Sequence, residues 1–104
     1  MIPLEKIKLI VSKYQALEKE LASGDISKKD FVKKSKEYSS IGEVIDQAKS
    51  YLSFEKEKIE LEKIIEDKKS DKDMVQLAKN ELNELVEKNR KNEKVLRIYL
   101  LPKD

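Results

Sequence analysis

Cysteine, histidine and tryptophan are absent from this sequence of 104 residues, and glycine and proline occur only twice each. Without cysteine there are no disulfides. Without cysteine or histidine there is no zinc site of the usual kind. Nucleophilic catalysis by a Cys-His or Ser-His pair is excluded for the same reason. Sheet proteins need turn residues every ten or so positions, and this chain lacks them. Arginine is nearly absent as well: Arg90 and Arg97 stand among 23 basic residues. Bidentate base readers need more guanidinium than that. No apolar run approaches the 18 residues of a membrane span. The opening Met1-Ile2-Pro3-Leu4-Glu5-Lys6 turns charged at once, unlike a signal peptide. The expected location is the cytoplasm, with no membrane partner.

What is present is charge. Asp, Glu, Lys and Arg make up 42% of the chain and apolar residues 38%, the mixture of long helices and coiled coils. The net charge of +2 arises from 23 basic and 21 acidic residues, mostly interspersed. Interspersed charge reads as a solvated helix surface supported by i,i+4 pairs. The predicted fold is all-α: three to four helices dominated by a long antiparallel coiled-coil hairpin, in a single domain over 1–104.

Four helices are read at about 3–22, 28–40, 43–67 and 71–98. Pro3 suits the first turn of the first. Its stripe is Leu4, Ile7, Ile10, Val11, Tyr14, Leu17 and Leu21, and Gly24 offers a left-handed cap. Ser27 is the N-cap expected for the second helix, with Asp30 in the capping-box position and Ile26 stapled to Phe31. That face continues through Ser35, Tyr38 and Ile41. Ser39-Ser40-Ile41-Gly42 predicts a kink or short break. The third stripe is Val44, Ile45, Ala48, Tyr51, Leu52, Ile59, Leu61 or Glu62, and Ile65, thinning between Leu52 and Ile59. Ser70 with Asp73 offers another capping box after a polar turn. Met74, Leu77, Ala78, Leu82, Leu85 and Val86 then carry the fourth seam, and Val95, Leu96 and Tyr99 resume it. The two long helices, about 37 to 42 Å each, form the hairpin, and the first two pack against one end.

Few residues point to chemistry. Lys28, Lys29, Lys33, Lys34 and Lys36 place five positive charges within nine residues. They read either as a patch that meets RNA phosphates or as a solvated helix face. No aromatic residues interleave to stack on bases. Asn89 and Asn92 fall where apolar residues belong. They either fix the register of a coiled coil or face water where the hairpin has splayed. Tyr14, Tyr38, Tyr51 and Tyr99 read as core-edge residues. Nothing apolar surrounds any carboxylate pair to separate their pKa values. The chain is read as no enzyme, with no cofactor, no metal and no small-molecule ligand.

The end of the chain is its most specific feature. Ile98-Tyr99-Leu100-Leu101-Pro102-Lys103-Asp104 reads as the start of a new element, and hence as the front of something larger. Leu100-Leu101-Pro102-Lys103-Asp104 after a long charged helix resembles the end of the N-terminal domain of bacterial class-I peptide chain release factors of the UAA/UAG type. Phe31-Val32-Lys33-Lys34-Ser35-Lys36-Glu37-Tyr38 resembles a family phrase with a Ser-Lys-Glu-Tyr core. Tyr14, Leu17 and Glu18 before a Ser-Gly-Asp-Ile loop match too. Ile41 through Tyr51 keeps the family spacing, though Gly42 stands in place of proline. The resemblance covers essentially the whole chain.

The resemblance implies an accessory helical module lying toward the stalk base of the large ribosomal subunit, followed by further domains of the same factor. In those domains a Gly-Gly-Gln loop promotes peptidyl-tRNA hydrolysis and a Pro-x-Thr type tripeptide reads the stop codon. Neither motif occurs here. Two rival readings are a free-standing coiled-coil adaptor, which self-associates, and a helical RNA-binding arm. The arm requires a basic stripe along the hairpin, where signs instead alternate as in Glu55-Lys56-Glu57-Lys58. Apolar surface near Tyr99 to Leu101 is expected to be exposed where further domains are missing.

Overall fold

The computed structural model describes residues 1–102. Four helices, α1 (Leu4–Ser23), α2 (Lys28–Gly42), α3 (Ile45–Glu66) and α4 (Lys72–Tyr99), make up the fold, and no strand occurs among the described residues. The chain is all-α. α3 and α4 run antiparallel as a long hairpin, and α1 packs on α3 and α2 on α1. The molecule measures 60 × 32 × 19 Å.

Local chemistry explains each boundary. Pro3 lies just outside α1, at the N-cap with φ −57°, one place before the helical turn proposed for it. Gly24 ends α1 with φ 77°, a left-handed conformation that costs a Cβ-bearing residue energy. The Ser27 hydroxyl accepts from the Asp30 N–H at 3.2 Å and opens α2. α2 and α3 are separated only by Glu43 and Val44, a short break. At the hairpin tip the cap is Asp71, whose Oδ1 accepts from the Met74 N–H at 2.8 Å. This corrects the Ser70–Asp73 capping box. Asp67 Oδ1 meanwhile accepts from the Lys69 N–H at 2.9 Å and tightens the turn.

The core lies at one end of the hairpin. Ile7, Ile10 and Leu17 of α1, Ile41, Val44, Ile45, Ala48 and Tyr51 around the α2–α3 junction, and Leu96 of α4 are buried together. Ile2, absent from the expected stripe, is buried as well, while Leu4 is exposed. The Ile2 N–H donates to the Tyr51 hydroxyl at 3.2 Å. That bond satisfies the polar tip of a buried tyrosine. The segment before α1 thus closes over the hairpin base.

Along α4 the inward positions are Val75, Ala78, Leu82, Leu85, Asn89, Asn92, Leu96 and Tyr99. The alternating steps of three and four keep one seam against α3. Met74, Leu77 and Val86, expected in that seam, are about half exposed or more. On α3, Ile59 is exposed, whereas Phe54 and Lys58 are part-buried. Asn92 is buried, and the Asn89 Oδ1 is buried without a hydrogen-bond partner. Water exposure of both asparagines through splaying is therefore not what occurs. α4 ends at Tyr99, and Leu100 to Pro102 form no new element. Lys103 and Asp104, the rest of the segment expected to begin one, lie outside the described residues.

Candidate functional site

α2 carries the lysine cluster, and its attachment to α1 decides which lysines are available. Tyr14 and Tyr38 stack with ring centroids 4.4 Å apart and planes within 15°. Hydrogen bonding to Tyr14, followed by burial, pushes the Tyr38 phenol up to about 12. Two ion pairs also join the helices, Lys13 with Glu37 and Lys34 with Glu20. Each raises the pKa of its lysine, with the carboxylate hydrogen bond as the leading cause. Phe31, expected on the buried face, is 45% exposed, and Ile41 is the buried residue of α2. The helix is fastened by a few contacts along one side.

The five lysines therefore divide. Lys34 faces α1 and is committed to Glu20. Lys28, Lys29, Lys33 and Lys36 are exposed and form no ion pair among the described residues. Lys29, Lys33 and Lys36 fall at i, i+4 and i+7, one row on the helix. Phe31 and Val32 lie beside them, about half exposed. The arrangement is an exposed row of positive charge on one side of α2. Among the described residues, no group of three or more carboxylates is arranged to hold a metal ion. No described helix is long and apolar enough to cross a membrane.

A second surface lies where α4 ends. Lys6, Leu9 and Lys13 of α1 face Tyr99 and Leu100 across a groove of about 330 Å³. Leu9, Ile98 and Leu101 are more than 60% exposed. Near it, the Met1 ammonium lies 3.1 Å from Glu93 and holds that carboxyl below the ordinary carboxylate range, with help from Arg97. Of the stretch Tyr99 to Leu101, expected as exposed apolar surface, Tyr99 and Leu100 pack partly against the core and Leu101 is open. Leu9, an isolated leucine off the main stripe, carries no signal in the sequence.

Comparison with known proteins places this geometry. The model of the PCRF domain matches residues 10–104. The peptide chain release factor 1 of Pelagibacter ubique (strain HTCC1062) is 51% identical over 104 residues, which are all of this chain and 29% of that protein. The protein of the same name from Bartonella quintana (strain Toulouse) is 33% identical over 103 residues, 99% of this chain and 28% of its own length. That of Caldicellulosiruptor saccharolyticus is 33% identical over 97% of this chain and 29% of its own length. The chain thus spans under a third of the curated relatives it matches. No solved structure matches it. With a family model covering nearly all of its four helices, the chain belongs to the PCRF domain family.

Proposed function

We propose that this chain is the N-terminal module of a peptide chain release factor that directs termination at UAA and UAG codons. In this reading it docks the factor on the ribosome toward the stalk base of the large subunit. The chain hydrolyses nothing itself. The Gly-Gly-Gln and Pro-x-Thr type motifs are missing from its sequence and belong to other domains of the factor. The observation that carries the docking role is the exposed row Lys29, Lys33 and Lys36 with Lys28 beside it, left without carboxylate partners among the described residues. Each phosphate neutralised by such a lysine releases counterions and makes affinity salt-dependent.

The test is ribosome binding by the whole factor, wild type against Lys28→Glu/Lys29→Glu/Lys33→Glu/Lys36→Glu, over a salt series. The variant binds more weakly at low salt, and its slope of log affinity against log salt falls by up to about three. Equal slopes for the two proteins would remove the proposal. Lys34→Gln serves as the internal contrast. It removes one of the two ion pairs between α1 and α2 and shifts melting temperature without changing that slope.

A further inference from the structure

The far half of the hairpin carries an open groove that the α2 lysines do not touch. Its floor is Leu61, Ile64 and Leu85, and its rim is Glu57, Glu60, Glu81 and Glu84, with Lys88 at one end. The groove is about 450 Å³. Each helix supplies residues spaced i, i+3, i+4 and i+7, so two parallel rows face one another over about two helical turns. The rim glutamates are exposed and make no ion pair among the described residues. At i+4 from three of the four stand Leu61, Ile64 and Leu85 in place of lysine, so a Glu-to-Lys pair in that spacing is open only to Glu84, with Lys88. At the other end of the hairpin α1 lies on α3 as a third helix. Among the described residues no third helix covers the seam in the far half, and Ile64 remains 36% exposed.

We infer that this groove receives a basic amphipathic helix of a partner protein. Its apolar face completes the three-helix layer over Leu61, Ile64 and Leu85, and flanking lysines or arginines meet the four glutamates. The charge selects the occupant. Nucleic acid phosphates are repelled by this rim, and an acidic helix is repelled equally. The inference rests on the hairpin alone and stands or falls apart from the role given to α2.

The probe is a fluorescein-labelled 18-residue synthetic helix, with leucines at i, i+3, i+4 and i+7 and lysines flanking them, read by anisotropy against the full chain. Saturable binding is expected, weakening with salt. At least tenfold weaker binding is expected for a peptide of the same composition with scrambled leucines. Replacing the probe's lysines with glutamate abolishes it. On the protein side, Glu57→Lys/Glu60→Lys/Glu81→Lys/Glu84→Lys lowers affinity at least tenfold, and so does Ile64→Asp. Circular dichroism checks that each variant remains helical, and the milder Glu60→Gln/Glu81→Gln replaces any that unfolds. Equal binding of the ordered and scrambled peptides, or unchanged affinity in the folded variants, overturns the inference. So does sedimentation showing dimers of the chain that these same substitutions dissociate, since the groove would then hold a second copy through its own basic α2.

Discussion

The two glycines show how differently one residue type is used. Gly24 stands at φ 77° with open space around its Cα, so a side chain there meets backbone strain and no neighbour. Gly24→Ala is expected to lower stability by about 1 kcal/mol. Gly42 ends α2 with a negative φ, and a Cβ there would rest 3.7 Å from the Tyr14 ring, an ordinary contact. Gly42→Ala is expected to raise stability by about 0.4–1 kcal/mol by restricting the unfolded chain. Urea melts of both variants check the opposite signs. The Tyr14–Tyr38 stack makes a pH prediction. The Tyr38 phenol is raised to about 12, with its hydrogen bond to Tyr14 as the leading cause. A raised folded-state pKa means the contribution is whole below the ordinary tyrosine value of about 10. It is lost as pH climbs through the folded value. Alkaline titration followed at 295 nm should show late ionisation of Tyr38. The urea midpoint should fall between about pH 10 and 12, and Tyr38→Phe should flatten that fall.

Among the elements, α4 was the most legible and also the most misleading. Its helical period, and the break in hydrophobicity at Asn89 and Asn92, stand in the sequence. Whether the asparagines are inside or outside depends on how close α3 approaches, which no local pattern encodes. They are inside, beside a cavity of about 50 Å³ that Ser50 and Phe54 line with them. An unpartnered buried carbonyl costs about 1–3 kcal/mol. Asn89→Leu, with that cavity to receive the extra volume, is therefore expected to stabilise the hairpin by about 1 kcal/mol, read by thermal and urea melts. α2 divides the same way. Its Ser27 cap was readable because the bond spans only three residues. The role of Lys34 was not, because its partner Glu20 sits on another helix. Ile2 escaped for a related reason: one apolar residue ahead of a proline has no period, and only Tyr51 across the fold gives it a place. On α3 a single narrow seam faces a single helix over the far half, so too few positions are apolar to fix its phase.

At the scale of the whole molecule, stability is concentrated at one end. The radius of gyration is 18.4 Å, against about 13 Å for a compact domain of this length. Leu96 is fully buried where α4 meets the core. Leu96→Ala is expected to cost about 2–5 kcal/mol, a large share of the stability of a domain this small. Surface substitutions at the tip, such as Lys69→Ala, should stay within about 0.5 kcal/mol. Hydrogen exchange should grade accordingly, slow at Ala48, Tyr51 and Leu96 and faster toward the turn between α3 and α4. Uniform protection along both helices would contradict this gradient. The same asymmetry has a mechanical side. The far half of the hairpin is a beam clamped at one end, overhanging by about 22 Å along α3 beyond Tyr51. A tilt of about ten degrees at the clamp therefore carries the tip through about 4 Å. Small adjustments among Ile7, Tyr51 and Leu96 are thus magnified at the free end, and whatever holds that end gains leverage over the core.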